Sequence, residues 1–285
     1  MFFISPFLRS RTLLIVTSSL KSPCFFLISS ISSIHRHRPQ LQQTTAALLL
    51  PVVPAVVASA SGGILAAALP TRSHAVTTLI TSYVLWGLGE TFACCILALY
   101  FHRLMVHQLP PRELIVSVFL PVGPLGQGGF AIQQLGVVAA DLDFLPLVVS
   151  SAADGGAVVG FVTGGQVLQI VGVFLALIMW GAGLGWLVLA ATSIATTQTF
   201  PFNMGWWGFT FPLGVFATCT SMLAKQLDSV FFRFLTMIFS VSVILLWLIV
   251  ATRTLLKART GEIFVAPCLG DLRPKTQQGG ANRTV

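Results

Sequence analysis

The chain has 285 residues, of which 55% are hydrophobic and only 8% are charged, and its mean hydropathy is +0.89. About a quarter of the residues of an ordinary soluble domain are charged, so this composition excludes a water-soluble globular protein. The net charge of +8 does not indicate nucleic-acid binding, because Lys and Arg stand between apolar runs, as in the short cytoplasmic loops of membrane proteins.

Residues 1–43 differ in composition from the rest of the chain. They are rich in Ser, Arg and Phe, contain no acidic residue, and have apolar runs too short to cross a bilayer. Three interpretations stay open for this basic segment: a presequence resembling a transit peptide, a flank wrongly joined to the coding sequence, or a loosely ordered cytoplasmic arm.

Six long apolar runs follow. As helices rising about 1.5 Å per residue, each is long enough to cross about 30 Å of hydrocarbon. Apolar residues run continuously instead of alternating, which predicts helices and not barrel strands. The sequence thus predicts an all-α integral membrane protein with a transmembrane domain over 44–256 and a cytoplasmic tail over 257–285. The predicted spans are about 44–69, 75–100, 114–138, 166–194, 202–223 and 230–256.

The positions of Lys and Arg predict the orientation of the spans. Basic residues precede the first span, separate the second from the third and follow the sixth, so these segments share one side. The rule that positive loops stay inside predicts that both termini are cytoplasmic. The basic residues on this side are Arg36, Arg38, Arg103, Arg112, Arg253, Lys257, Arg259, Arg273 and Lys275.

No catalytic or cofactor motif stands in the sequence. HExxH, Walker and GxSxG patterns are absent, and the five cysteines form no CxxC pair. We therefore expect no enzyme activity, no cofactor and no metal site.

The second span contains one carboxylate, Glu90, in the sequence Leu-Gly-Leu-Gly-Glu-Thr-Phe. A charge inside a membrane span is a functional hypothesis by default, so one interpretation is a proton-coupling residue. The other is a structural carboxyl group that bonds to a neighbouring helix.

The third span is rich in residues that interrupt helices. Broken backbone at membrane depth is tolerated where it is buried in protein or lines a water-filled cavity, which predicts a kinked or partly unwound pore wall. Amide side chains in such a wall would solvate a small anion without a fixed charge that holds it too tightly. Tight helix packing is the competing interpretation. The pore-lining candidates are Pro121, Gly123, Pro124, Gly126, Gln127, Gly128 and Gln133, with Gln134 as a further amide.

The fifth span begins with Phe202-Asn-Met-Gly-Trp206-Trp207 and continues to Phe211-Pro212. The tryptophans are typical of an interfacial belt. A proline kink beside Phe211 would let an aromatic ring close a lumen as a hydrophobic plug. Aromatic side chains that face lipid or pack against other helices remain the alternative.

At these residues the chain resembles the tellurite-resistance/dicarboxylate transporter family, and within it the fungal sulfite efflux pumps. The likeness rests on Pro110-Pro-Arg-Glu-Leu-Ile-Val-Ser-Val-Phe-Leu-Pro-Val-Gly-Pro-Leu-Gly-Gln-Gly-Gly129, on Pro201-Phe-Asn-Met-Gly-Trp-Trp-Gly-Phe-Thr-Phe-Pro212 and on Ala266-Pro-Cys-Leu269. The family's fold implies about ten helices in five hairpins, with odd helices around a central pore, and frequent assembly as trimers. The six spans would be the last six, so the chain resembles an N-terminally truncated member.

The resemblance implies a transporter of small anions, with export of sulfite or bisulfite across the plasma membrane as the leading activity. Malate permeation is the alternative, and a truncated membrane protein without transport is an alternative of another class. The expected partners are the anion, the lipid bilayer and further copies of the chain in a homotrimer. The family's pore-occluding phenylalanine corresponds to Phe209 or Phe211, with Phe211 preferred.

Overall fold

The computed structural model describes residues 45–107, 110, 112–145, 162–197 and 201–260. These residues form helices joined by turns, and short 3₁₀ segments at Ala46–Leu49, Arg112–Phe119 and Met204–Trp206 each precede an α-helix. The helices are α1 (Val53–Ala68), α2 (Arg72–Val106), α3 (Val122–Asp141), α4 (Gly164–Thr196), α5 (Trp207–Gln226) and α6 (Val230–Thr260). The prediction of a helical membrane protein is confirmed, whereas the predictions for 1–43 and for residues beyond 260 lie outside the described residues.

The first span is shorter than the sequence predicts. Within the described ranges, five helical stretches are long and apolar enough to cross a bilayer, and α1 is a shorter apolar helix of 16 residues. At about 1.5 Å per residue α1 is about 24 Å long, and the 3₁₀ segment Ala46–Leu49 precedes it. Within the predicted span of about 44–69, the chain begins as a 3₁₀ turn and passes Pro51 before α1 starts, with Pro54 in its first turn.

The third span is interrupted, as its prolines predict, but the interruption lies early. The chain runs as 3₁₀ helix from Arg112 to Phe119, turns at Leu120 and Pro121, and continues as α3 from Val122. The amide of Gly123 bonds the Leu120 carbonyl across this turn at 2.9 Å. The glycine cluster that follows is regular α-helix, so the unwound part contains Pro121 and precedes the other candidate pore-lining residues.

The helices pair in sequence order as hairpins α1/α2, α3/α4 and α5/α6. Helix α3 contacts both α1 and α5, so these three form an inner arc with α3 in the middle, and α2, α4 and α6 lie outside. The inner helix is the more buried one. In its most apolar stretch of 18 residues, the span that contains α3 is 83% buried, whereas the corresponding stretch of α6 is 6% buried. Since apolar outer faces meet lipid and not water, this distribution suits a bundle embedded in a bilayer.

Two helices carry polar or aromatic residues at a spacing that matches the thickness of a bilayer. Arg233 and Arg253 bracket the apolar part of α6 and stand about 30 Å apart at about 1.5 Å per residue. Trp206 and Lys225 bracket α5 over about 29 Å by the same rise. Both spacings match the hydrocarbon thickness, so these residues indicate the two headgroup levels.

Candidate anion pathway

One face of α3 is less buried than the others. Phe130, Gln134 and Val137 are half-buried, and 9% of the Gln127 surface is exposed. Helical spacing of three or four residues puts these side chains in line with Gly123. We call Gly123, Gln127, Phe130, Gln134 and Val137 the amide stripe.

The amide stripe lies between the other two inner helices. A Cβ built on Gly63 of α1 would lie 3.2 Å from the Gln134 side chain, and one built on Gly123 would lie 3.5 Å from the Phe211 ring of α5. The stripe therefore faces the opening between α1 and α5, which is the concave side of the inner arc.

The glutamines of α3 have two different environments. Gln133 is fully buried, and its side-chain amide donates to the Gly129 carbonyl at 2.9 Å and to Cys219 Sγ of α5 at 3.7 Å. Gln127 and Gln134 make no hydrogen bond with their side chains to any described residue. Their donors remain available for a ligand, whereas the Gln133 amide bonds within α3 to Gly129 and across to Cys219 of α5.

The other predicted pore-lining residues contact neighbouring helices. Pro121 and Pro124 are buried. A Cβ on Gly126 would lie 2.8 Å from the Phe216 backbone of α5, so this glycine permits close packing. A Cβ on Gly128 would overlap the Glu90 carboxyl group. Of the seven candidates, Gly123 and Gln127 lie on the amide stripe.

Glu90 is buried between helices, with 5% of its surface exposed. Neither carboxyl oxygen has a hydrogen-bond partner within the described part of the chain. Nearby helices present Gly128 and Met179 to this region, and Cys94 lies one turn along α2. The Trp86 indole, one turn earlier on α2, donates to the Gly128 carbonyl at 2.9 Å and fixes α2 against α3.

The two gate candidates have opposite environments. Phe209 is buried and packs edge-to-face against Phe119 and Trp206, with ring centroids 5.0 and 5.7 Å away. Phe211 is 44% exposed and lies beside Gly123 at the start of the amide stripe. Pro212 removes one backbone donor directly after it, which loosens α5 at this point.

Sequence reasoning misses the polar contacts that fix the helices around α3. The Trp180 indole of α4 donates to Thr220 Oγ1 of α5 at 2.9 Å, and Trp86 bonds α3 as described above. Both pairs join residues more than 35 positions apart, and no spacing pattern in a single sequence indicates such a pair.

Three helical hairpins around an inner arc, with unbonded amides on its concave side, define a multi-pass membrane protein of the channel and transporter class. The chain belongs to the voltage-dependent anion channel family, whose model matches residues 10–255. This membership agrees with the expectation of transport instead of enzyme catalysis.

The relatives are named transport proteins. The chain is 44% identical to the sulfite efflux pump of Arthroderma benhamiae over 245 residues, which are 85% of this chain and 60% of that protein. The sulfite efflux pump of Trichophyton rubrum is 43% identical over the same shares. The malic acid transport protein of Schizosaccharomyces pombe is 21% identical over 79% of this chain and 49% of that protein. The chain thus spans about 60% of the length of the sulfite pumps, and no solved structure matches it.

Proposed function

We propose that this chain carries a small anion across the plasma membrane, and that export of sulfite or bisulfite is its activity. The observation that carries the proposal is the pair of unbonded amides, Gln127 and Gln134, on the concave side of the inner arc. The names of the fungal relatives at 43–44% identity support the choice of anion.

The amide stripe suits passage better than tight binding. An anion that enters a pore loses water, and side-chain N–H donors replace part of that hydration. A fixed cation at the same place would hold the anion more strongly and slow its release. Gln127 and Gln134 supply donors without such a charge, two turns apart along the path.

Phe211 acts as the gate in this proposal. Its exposed ring lies beside Gly123, where the absence of a side chain leaves room for the ring at the start of the stripe. A ring in this position closes the path by excluding water, and rotation of the side chain opens it. The packing of Phe209 supports a structural role for that residue.

Glu90 serves as the coupling residue in this proposal. Its carboxyl group touches Gly128, the neighbour of Gln127, and the described helices place no charged partner on it. Loss or gain of its proton changes the charge behind the stripe and so the affinity of the path for an anion. Flux should then depend on pH in the wild type and much less in Glu90→Gln, with Asp228→Asn as the control carboxyl variant outside the bundle.

The proposal includes a homotrimer with both termini in the cytoplasm. The inner helices described here form an arc and not a closed ring, so further inner surface is needed to enclose the path. The resemblance to trimeric family members supports three copies. Mass measurement of the protein in lipid nanodiscs tests the number of copies, and a monomeric mass would contradict it.

Anion flux into proteoliposomes tests the function. We expect sulfite flux in the wild type, a severalfold loss in Gln127→Leu and partial recovery in Gln127→Asn, which restores an amide. Gln169→Leu is the matched control, because Gln169 bonds Gln226 between α4 and α5, away from the stripe. Malate flux without sulfite flux would favour the dicarboxylate activity, and no flux despite confirmed insertion would favour a protein without transport.

A further inference from the structure

Two cations and two aromatic rings form a cluster where α5 begins and α6 ends. The Arg253 guanidinium lies 5.9 Å from the centroid of the Trp206 ring, and Lys257 Nζ lies 5.9 Å from that of Phe202. The two rings are themselves 5.2 Å apart. Arg253 and Lys257 are one turn apart on α6, so both point to the same side. We call these four residues the basic-aromatic cluster.

The rings of the cluster are held in place by their own contacts. The Trp206 indole donates to the Pro201 carbonyl at 3.1 Å, and the ring packs edge-to-face against Phe209. The Asn203 side chain accepts from the Gly205 amide at 2.9 Å and fixes the turn that carries Trp206. A guanidinium near such a ring is attracted to its face, and its planar fork of N–H groups suits a phosphate bound at two points.

The cluster lies at the depth of lipid phosphates. Arg253 stands about 30 Å from Arg233 along α6, which is the thickness of the hydrocarbon. Lys257 lies about 6 Å further out at about 1.5 Å per residue, within the headgroup layer. Below Arg253, Leu245, Leu248 and Ile249 are exposed apolar side chains suited to contact acyl chains.

The opposite end of α6 differs in one respect. Arg233 has the mirrored depth, but it forms an ion pair with Asp228 of its own chain. An Asp partner already satisfies that cation, whereas the Arg253 guanidinium lies over the face of the Trp206 ring. The difference makes Arg233 a matched control for Arg253 within one helix.

We propose that the basic-aromatic cluster binds the phosphate headgroup of an anionic phospholipid. Its end of the bundle is the end proposed to be cytoplasmic, and the cytoplasmic leaflet is where anionic lipids concentrate. Occupancy stabilises the start of α5, because Trp206 contacts Phe209, which in turn packs on Phe119 before α3. The site does not depend on which anion the protein transports.

Thermal unfolding of the purified full chain in nanodiscs tests the site. Replacing part of the phosphatidylcholine with phosphatidylserine should raise the unfolding midpoint of the wild type by several degrees, because a ligand that binds only the folded state stabilises it. The rise should be lost in Arg253→Gln/Lys257→Gln, partly retained in Arg253→Lys and unchanged in Arg233→Gln. Native mass spectrometry should show retained phosphatidylserine on the wild type and on Arg233→Gln.

Three outcomes would overturn the lipid site. The first is an equal rise in the double variant and the wild type, since the charge would then act without the cluster. The second is an equal loss in Arg233→Gln, which would indicate general surface charge. The third is the same rise with inorganic phosphate in pure phosphatidylcholine, which would assign the cluster to a free anion. None of these readouts uses flux, so they stand apart from the test of transport.

Discussion

The Glu90 carboxyl group occupies the space that a side chain at position 128 would need. We expect Gly128→Ala to destabilise the bundle by about 1 kcal/mol, the low end of the usual effect of overpacking, because the atoms it meets are the ends of the flexible Glu90 and Met179 side chains. The lower midpoint should appear in thermal unfolding of the protein in detergent. Gly87→Ala on α2 is the control, because a Cβ there meets no atom within 4 Å.

A double variant separates this contact from a general effect of the added methyl group. Glu90→Ala removes the carboxyl group that the new Cβ meets, so Gly128→Ala should cost less in a Glu90→Ala background than alone. Additive losses would mean that Met179, the other close neighbour, decides the effect.

Phe209 and Phe211 are two residues apart, but their replacement by alanine should affect different properties. Phe211→Ala removes an exposed ring beside Gly123, so flux should rise severalfold with little change in the unfolding midpoint. Phe209→Ala leaves a cavity between Phe119 and Trp206 and should cost about 3–5 kcal/mol. Parallel flux and unfolding measurements check both, and unchanged flux in Phe211→Ala would contradict its role as gate.

Helices α3 and α4 pack closely because glycines remove side chains from their contact. A Cβ on Gly172 of α4 would lie 2.8 Å from the Ile132 carbonyl of α3, and backbone at that distance has no rotamer that relieves it. Gly172→Ala should therefore lower the unfolding midpoint by several degrees and reduce yield. Gly185→Ala in the same helix meets no atom within 4 Å and should leave both unchanged.

Hydropathy predicts the helices well because lipid requires long continuous apolar runs, and α2, α4, α5 and α6 begin and end near the predicted bounds. Helix α3 starts later than its predicted span because the 3₁₀ segment Arg112–Phe119 precedes it. Hydropathy does not indicate that α1 starts only at Val53, after Pro51 and with Pro54 in its first turn. Helical spacing also indicates that Gln127 and Gln134, seven residues apart, share a face that Gln133 does not. The neighbours of each face, such as Glu90 behind Gly128, follow from the packing of several helices, which one sequence does not encode as a local pattern.

The outer helices α4 and α6 give the bundle two exposed apolar surfaces. Helix α6 exposes large apolar side chains along most of its length between Arg233 and Arg253, and α4 does so over its middle. Exposed apolar area of this extent is incompatible with water and expected in lipid. The inner arc instead turns Gln127 and Gln134 of α3 toward its concave side, so the same fold gives lipid an apolar exterior and the concave side two amide groups.

This arrangement in the bilayer predicts which residues of α6 and its ends are accessible to water, and from which side of the membrane. In a variant without its five native cysteines, Asp228→Cys should react with an impermeant thiol reagent in intact cells, and Arg259→Cys only after permeabilisation. Val241→Cys is exposed in the isolated chain but lies between the two arginines, so it should react in neither condition. Labelling of Arg259→Cys alone in intact cells would invert the orientation, while labelling of Val241→Cys would mean that α6 borders water instead of lipid.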